Sequence, residues 1–263
     1  MSETTVIYIF LAFTGLFFGS FLNVLADRLS FGKTILGRSK CDACNHVLTW
    51  YDLVPIISYT LLKGKCRYCK APFSVQYPLS EMFTAAIFVL TYYLSIHSYH
   101  LVSLHVLHIF MAAIFVVMLL SDLRYQIIPD EMQITLFLVA IARLYFLLHP
   151  TLVFTEAQPY ILGAFVVMLP LLLVFLFTKG KGMGFGDVKY AVSMGLLLGM
   201  WNGLIGLYLA FVLGGFVGAV ILLLRKGGMK TKIAFGPFLF VATYLMLFFE
   251  ADIILLLSRI YRF

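Results

Sequence analysis

All four cysteines of the chain stand in a pattern that suits a metal ion. They form two CxxC pairs, Cys41 with Cys44 and Cys66 with Cys69, separated by 21 residues. Four thiolates hold zinc tetrahedrally, and pairs at nearly this spacing are typical of structural zinc knuckles. Because cysteine takes every ligand position, no position stays open for a catalytic water. The pattern predicts a structural zinc site, and free or reactive thiols are the alternative.

Two aspartates stand out among the twelve acidic residues of the chain. Asp122 follows one apolar run, and Asp187 precedes another. Two close carboxylates share one proton, so that one takes a proton from water while the other donates to a carbonyl oxygen. Taken singly, each aspartate also fits a turn or a helix N-cap. Taken together, they predict a catalytic pair like that of aspartic proteases.

The residues around Asp187 suit a bound peptide. Gly184 and Gly186 allow an extended backbone to approach the start of a helix, so we expect a substrate strand to lie along them. Lys189 is expected to contact the substrate or a carboxylate, or else to reach the lipid headgroups. Asp130, which follows a proline, is expected to cap the next helix.

The composition shows what kind of protein must position these residues. Hydrophobic residues make up 62% and charged residues 12% of the 263 residues, and the mean hydropathy is +1.01. Soluble domains are about 45–50% apolar and about 25% charged. A soluble or disordered chain is therefore excluded, and an all-α polytopic protein of the lipid bilayer is predicted. The net charge of +7 is attributed to basic cytoplasmic loops rather than to a nucleic-acid partner.

Eight apolar segments are candidates to cross the bilayer. A helix needs about 20 residues to do so. The predicted spans are 6–26, 82–97, 101–121, 132–148, 160–177, 188–200, 204–224 and 233–257, of which 188–200 is the shortest. They predict a first transmembrane helix (1–26), a four-cysteine insert (27–78) and a seven-helix bundle (79–263). The first span is interpreted as a retained helix, because no basic residue precedes it. No internal repeat is obvious.

The distribution of lysine and arginine orients these spans. Eight of the nineteen basic residues lie in the insert. If the insert is cytoplasmic, alternation of the spans makes the basic loops 122–131, 178–187 and 225–232 cytoplasmic too. Among the loops and termini on the opposite side of the membrane, the basic residues are then only Arg259 and Arg262. This predicts that both termini lie outside and that both aspartates lie at the cytoplasmic rim of the bundle.

In this order, the motifs resemble those of bacterial type IV prepilin peptidases, which belong to the GxGD group of membrane aspartic proteases. Residues 184–187 read Gly-Phe-Gly-Asp, and Asp122 is followed by Ile-Pro-Asp at 128–130. The resemblance covers about residues 15–245, and its further matching segments are 19–24, the two cysteine pairs, 52–59, 77–81 and 236–239. One departure is Ser30, which stands where the family usually has proline.

The resemblance implies an activity and its partners. Members of the family remove the basic leader of type IV prepilins or of type II secretion and competence pseudopilins, at the cytoplasmic face of the bacterial cell membrane. They then methylate the new N-terminus with S-adenosylmethionine. Asp122 and Asp187 are the implied catalytic residues. Glu81 is implied in methylation, or else faces a helix N-terminus for structural reasons. No glycine-rich nucleotide loop locates the methyl donor.

Two other classes of function stay open from the residues alone. An ion- or proton-coupled transporter would use intramembrane acids as a relay, but it predicts acids near the bilayer centre on several helices. A non-enzymatic assembly factor for a pilus or secretion system, built on the zinc knuckle, would tolerate Asp187→Ala. The sequence sets no oligomeric state.

Overall fold

The structure, a computed structural model, describes residues 3–149, 153–224 and 234–261. Within these ranges the regular structure is helical, with two isolated β-bridges, which confirms the all-α class. The helices are α1 Glu3–Ser30, α2 Ile57–Leu61, α3 Gln76–Ser98, α4 Val102–Tyr125, α5 Asp130–Leu148, α6 Phe154–Thr178, α7 Phe185–Leu198, α8 Met200–Leu223, α9 Gly236–Phe248 and α10 Glu250–Tyr261.

Six of the described helices are long and apolar enough to cross a membrane, namely α1, α3, α4, α5, α6 and α8. The pair α9 and α10 passes the same test only if it is taken as one span, and it is bent by 102°. The predicted total of eight also counts α7, which has 14 residues. At 1.5 Å per residue α7 is about 21 Å long, shorter than the roughly 30 Å hydrocarbon core.

The predicted span at 233–257 is not one straight helix, because α9 and α10 meet at a sharp bend. The chain turns at Phe249, between the end of α9 and the start of α10. Glu250 and Asp252 occupy the first turn of α10, where the helix dipole favours acidic side chains. A straight helix would have carried both acids into the hydrocarbon, which is costly. The basic loop at 225–232 and Arg262, both used to orient the chain, lie outside the described residues.

The chain forms two compact units. One comprises Met1–His100 with His108–Ser121, and the other Leu101–Leu107 with Asp122–Phe263. In the first unit α1 packs along α3. Gly15 makes this approach possible, because a Cβ there would lie 2.5 Å from Ala85 Cα. The segment between α1 and α3 forms the cysteine-containing insert.

In the second unit α7 lies among α5, α6, α8 and α9. Ten of its 14 residues are buried, so protein rather than lipid surrounds most of this short helix. At its crossing with α6 a Cβ on Gly163 would lie 2.5 Å from Gly195 O, so the two backbones are almost in contact. Gly199, with φ +81°, ends α7, and α8 begins at the next residue. Neighbouring helices therefore fix the position of α7, and with it the position of Asp187.

Candidate active site

Asp187 lies in the first turn of α7, as the sequence predicts. The helix begins at Phe185 after the N-cap Gly184, so Asp187 is its third residue. At this position the free backbone N–H groups and the helix dipole favour a carboxylate. The side chain is nevertheless only 8% exposed. The short helix therefore holds an acidic group at the edge of a packed core.

Asp122 lies in the last turn of α4 and is 5% exposed. Its Oδ2 is buried without a hydrogen-bond partner in the part of the chain that the structure describes. Gly236, the first residue of α9, packs against this carboxylate, and a Cβ at that position would overlap Oδ2. The Gly-Pro-Phe-Leu segment at 236–239 thus shapes one wall of the site.

The two aspartates are close enough for their charges to repel each other, although they lie 65 positions apart in the sequence. Two buried carboxylates at this proximity cannot both be charged without a large cost. An arrangement in which they share a proton removes most of that cost. The structure thus brings together the two residues that the sequence singles out as a pair.

Neither glycine of the Gly-Phe-Gly-Asp segment has a positive φ. A Cβ on Gly184 would make only ordinary contact with Asp187 Oδ2, at 3.7 Å, and Gly184 is exposed. A Cβ on Gly186 would come within 3.4 Å of Ile128 Cβ, a tighter but still tolerable contact. Packing within the described chain therefore does not require glycine at 184.

Lys189 pairs with Asp130 at 2.7 Å, and both side chains are exposed. The ammonium also lies 5.4 Å from the ring centre of Phe185. The helix α5 begins at Asp130 itself, and its N-cap is Pro129. The predicted capping role of Asp130 is therefore wrong, because its carboxylate binds a lysine of α7 instead.

Two buried polar residues of α5 were missed as parts of this region. Gln133 lies 3.7 Å from the Cβ position of Gly186, and its Oε1 lacks a partner among the described atoms. Arg143 donates to Leu197 O at the last turn of α7, at 3.0 Å. Both face inward with Leu136 and Ala140. That helical spacing is visible in the sequence and indicates an inward-facing position for both residues.

Glu81 lies in the first unit, where its carboxylate binds backbone. Its Oε2 accepts the N–H of Ile56, the N-cap of α2, at 2.9 Å. Ile56 has φ +59°, which is unusual for a β-branched residue, and Ile57 N–H closes a γ-turn on Pro55 O at 2.5 Å. This contact fits the structural alternative for Glu81. Its role in methylation stays a prediction.

The four cysteine sulfurs lie within 4.8 Å of one another, with Cys41 Sγ and Cys69 Sγ 3.8 Å apart. A tetrahedral zinc ion with Zn–S bonds of about 2.3 Å needs sulfurs about 3.8 Å apart. The donor set and its spacing therefore fit a metal ion of this kind.

The two halves of this cluster repeat each other 25 residues apart, a repeat that the sequence analysis missed. Cys41 N–H binds His46 O at 3.0 Å, and Cys66 N–H binds Ala71 O at 2.8 Å. A residue with positive φ follows each pair, namely Asn45 (56°) and Lys70 (62°). A β-bridge closes each half, between Lys40 and Val47 and between Lys65 and Pro72.

Known proteins resemble the chain over most of its length. Residues 13–95 match the Bacterial Peptidase A24 N-terminal domain, and residues 109–223 match the Type IV leader peptidase family. A prepilin leader peptidase/N-methyltransferase of Aeromonas hydrophila is 34% identical over 213 residues, which are 80% of this chain and 71% of that protein. The chain belongs to the type IV leader peptidase family. This confirms the resemblance and the peptidase class predicted from the motifs.

Proteins of the same name from two other organisms match over a longer stretch. Those of Stutzerimonas stutzeri and Pseudomonas aeruginosa are 29% and 30% identical over alignments of 268 positions, which cover 89% of this chain and 87% of each relative. No solved structure is significantly similar to this one. The membership also confirms a multi-pass membrane protein, in agreement with the apolar helices.

Proposed function

We propose that Asp122 and Asp187 are the catalytic pair of a membrane aspartic endopeptidase that cleaves the leader from a prepilin or pseudopilin. The observation that carries this assignment is the pairing of two carboxylates, each more than nine-tenths buried and each within electrostatic reach of the other. Asp122 Oδ2, without a hydrogen-bond partner among the described residues, is the acceptor for the proton of a catalytic water. The relatives named above supply the substrate class.

The chemistry follows from one proton shared by two carboxylates. The charged carboxylate removes a proton from water as the water oxygen attacks the scissile carbonyl carbon. The protonated carboxylate donates to the carbonyl oxygen, which gives a tetrahedral diol. The diol then collapses: one of its hydroxyl groups returns a proton to the charged carboxylate as the C=O bond re-forms, the C–N bond breaks, and the leaving nitrogen takes the proton of the other carboxyl group. At the end the two carboxylates again hold one proton.

The glycines and Lys189 position the substrate and take no part in proton transfer. Because Gly184 is exposed and has no packing reason to lack a side chain, an extended substrate backbone runs beside it. Gly186 continues the same narrow wall. Lys189, held by Asp130 at the rim, contacts the substrate from the side of that pair.

The substrate class and the distribution of basic residues support a site at the cytoplasmic face. A leader with basic residues stays in the cytoplasm while the apolar part of the substrate lies in the bilayer. The loop before α7 holds Lys179 and Lys181, in agreement with that face. The sides on which the two termini lie stay predictions.

The cysteine cluster holds a structural zinc ion in this proposal. Cys41, Cys44, Cys66 and Cys69 supply four thiolates at fitting distances, which closes the coordination shell. The ion fixes the fold of the insert and takes no part in peptide cleavage.

The names of the relatives also support N-methylation of the new N-terminus with S-adenosylmethionine. Nucleotide loops of the usual glycine-rich type follow a strand and open a helix. The described residues form helices and isolated bridges, so they do not offer such a loop. Glu81 stays a predicted participant, and no step of the cleavage depends on the methyl donor.

A cleavage assay in membranes tests the proposal. Wild type is compared with Asp122→Asn and Asp187→Asn, which keep the size of the side chain but cannot cycle a proton. Cleavage by each variant falls by about 10³-fold, in the range that general acid–base groups contribute. Glu131→Gln is the matched control, since it removes an exposed carboxylate on α5 and leaves cleavage unchanged. Near-normal cleavage by either aspartate variant would overturn the assignment.

A further inference from the structure

The insert exposes a group of large apolar side chains that no described residue covers. Trp50 is 77% exposed and Leu61 is 76% exposed, and Leu53 and Ile57 are exposed as well. Ile57 and Leu61 lie one turn apart on the same side of α2. The single turn of 3-10 helix at Trp50–Asp52 packs against α2. We refer to Trp50, Leu53, Ile57 and Leu61 as the apolar face of the insert.

This face is tied to the end of a membrane-spanning helix. Ile56, the residue before α2, donates its N–H to Glu81 at 2.9 Å. Glu81 lies five residues after the start of α3, or about 8 Å along it at 1.5 Å per residue. The 23 residues of α3 are about 35 Å long, a little more than the roughly 30 Å hydrocarbon core. The apolar face is therefore held close to the boundary between the hydrocarbon and the headgroups, where interfacial helices lie.

The charge of the insert shows which headgroups fit. Residues 27–78 contain eight lysines and arginines but only three aspartates. One of these, Asp52, is paired with Arg67 at 2.7 Å. Lys63 and Lys65 follow α2 almost directly and are exposed. Anionic lipids attract such a surface, whereas a basic leader peptide or a second copy of the insert is repelled by it.

We propose that the apolar face of the insert is seated in the headgroup region of the membrane that the chain itself spans, with Lys63 and Lys65 on anionic lipid. Aromatic and aliphatic side chains beside lysines are the composition that lies at such an interface. This contact with the membrane holds the cysteine cluster at a fixed height above the bilayer. It does not depend on the aspartate pair or on peptide cleavage.

The chain contains two tryptophans, so Trp201→Phe leaves Trp50 as the only one. The full-length variant is reconstituted in vesicles of phosphatidylcholine, with and without phosphatidylglycerol. We expect lipids brominated near the headgroup to quench Trp50 severalfold more in the anionic vesicles, while aqueous acrylamide quenches it weakly. Strong quenching by acrylamide would overturn the proposal. So would shielding from both quenchers, because a protein partner rather than lipid would then cover the face.

Two further variants in the Trp201→Phe background separate the apolar and charged contributions. Leu61→Gln lowers quenching by brominated lipid in both kinds of vesicle. Lys63→Gln with Lys65→Gln removes the difference between the two kinds. Bound metal, measured for every variant, shows that the insert is still folded. Unchanged quenching in metal-loaded Leu61→Gln would contradict the proposal.

Discussion

The cysteine cluster and the aspartate pair differ in how far contacts within the chain satisfy their polar atoms. The cysteines bring four equivalent donors to one point, and each half of the cluster closes its own turn with backbone hydrogen bonds. The aspartates are two buried acceptors that repel each other, and Asp122 Oδ2 lacks a partner among the described residues. The first site is closed and suits structure. The second is left open and suits a reaction.

The two sites also differ in where their residues come from. The cysteines lie within 29 residues, so that local turns assemble them. Asp122 and Asp187 come from α4 and α7, and neighbouring helices hold α7 in place. A closed local site therefore fails by local unfolding, whereas an open site built from distant helices fails through displacement by fractions of an ångström.

Cys41→Ser is expected to give the largest effect on the cysteine side of the comparison. Losing one of four thiolates removes most of the bound metal, and the insert unfolds locally because its fold depends on the ion. Metal analysis and limited proteolysis of residues 40–72 measure both changes. Asp42→Asn, an exposed change between two of the ligands, keeps the metal. Full metal content in a Cys41→Ser/Cys69→Ser double variant would show that the ion is held elsewhere.

Gly236→Ala tests the aspartate pair without replacing either aspartate. The new Cβ would overlap Asp122 Oδ2, so the carboxylate must move. We expect cleavage to fall by about 10²-fold, the usual consequence of a displacement near 1 Å, with metal content unchanged. Gly215→Ala is the matched control, since among the described residues no atom outside the backbone of its own helix lies within 4 Å of a Cβ at that position. Equal cleavage by the two variants would show that Gly236 does not shape the site.

Arg143→Met tests whether the far end of α7 must be held. The arginine is 5% exposed and donates to Leu197 O at 3.0 Å. Its loss leaves a buried carbonyl without that donor, and we expect the free energy of unfolding in detergent to fall by about 2 kcal/mol. Arg259→Met, which removes an exposed arginine of α10, changes the same measurement little. If both variants unfold alike, the contact to α7 contributes nothing.

Asp52→Asn is expected to have the smallest effect. Burial alone would raise the pKa of Asp52, but hydrogen bonds from Thr49 and Arg67 together hold it below its ordinary value of 3.8. A lowered folded-state pKa stabilises the insert above pH 3.8, and that stabilisation is lost as the pH falls through the lower value. At pH 7 the loss of stability in Asp52→Asn is therefore complete, but it is small, because Arg67 is 43% exposed and solvent screens the pair.

Amide hydrogen exchange of the metal-loaded insert measures this change at pH 7. Exchange in Asp52→Asn is faster than in wild type, and exchange in Asp42→Asn is unchanged. Faster exchange in both variants would show that any loss of negative charge loosens the insert.

The sequence was most informative where chemistry depends on spacing along the chain. The cysteine site and the all-helical class follow from spacing and composition, and the family follows from ordered motifs. The repeat of the two cysteine halves was missed, because Lys-Cys-x-x-Cys is the main identity that residues 40–44 and 65–69 share. Its recurrence lies in backbone hydrogen bonds, which a sequence does not show.

Features that depend on packing between helices were not predictable in the same way. The shortness of α7 was noted, but its burial among four helices was not. The contact of Gly236 with Asp122 joins residues 114 positions apart. The break at Phe249 has a local signal in Glu250 and Asp252, because two acids inside an apolar span are costly in hydrocarbon.

The most direct test of the account is a double-variant cycle on the aspartate pair. Cleavage is measured in membranes for Asp122→Asn, Asp187→Asn and the double variant, each with full metal content. If the two carboxylates work as one unit on a shared proton, the double variant is no slower than either single variant. A double variant slower by the product of the two single losses would mean that the aspartates act independently, and the shared-proton pair would be wrong.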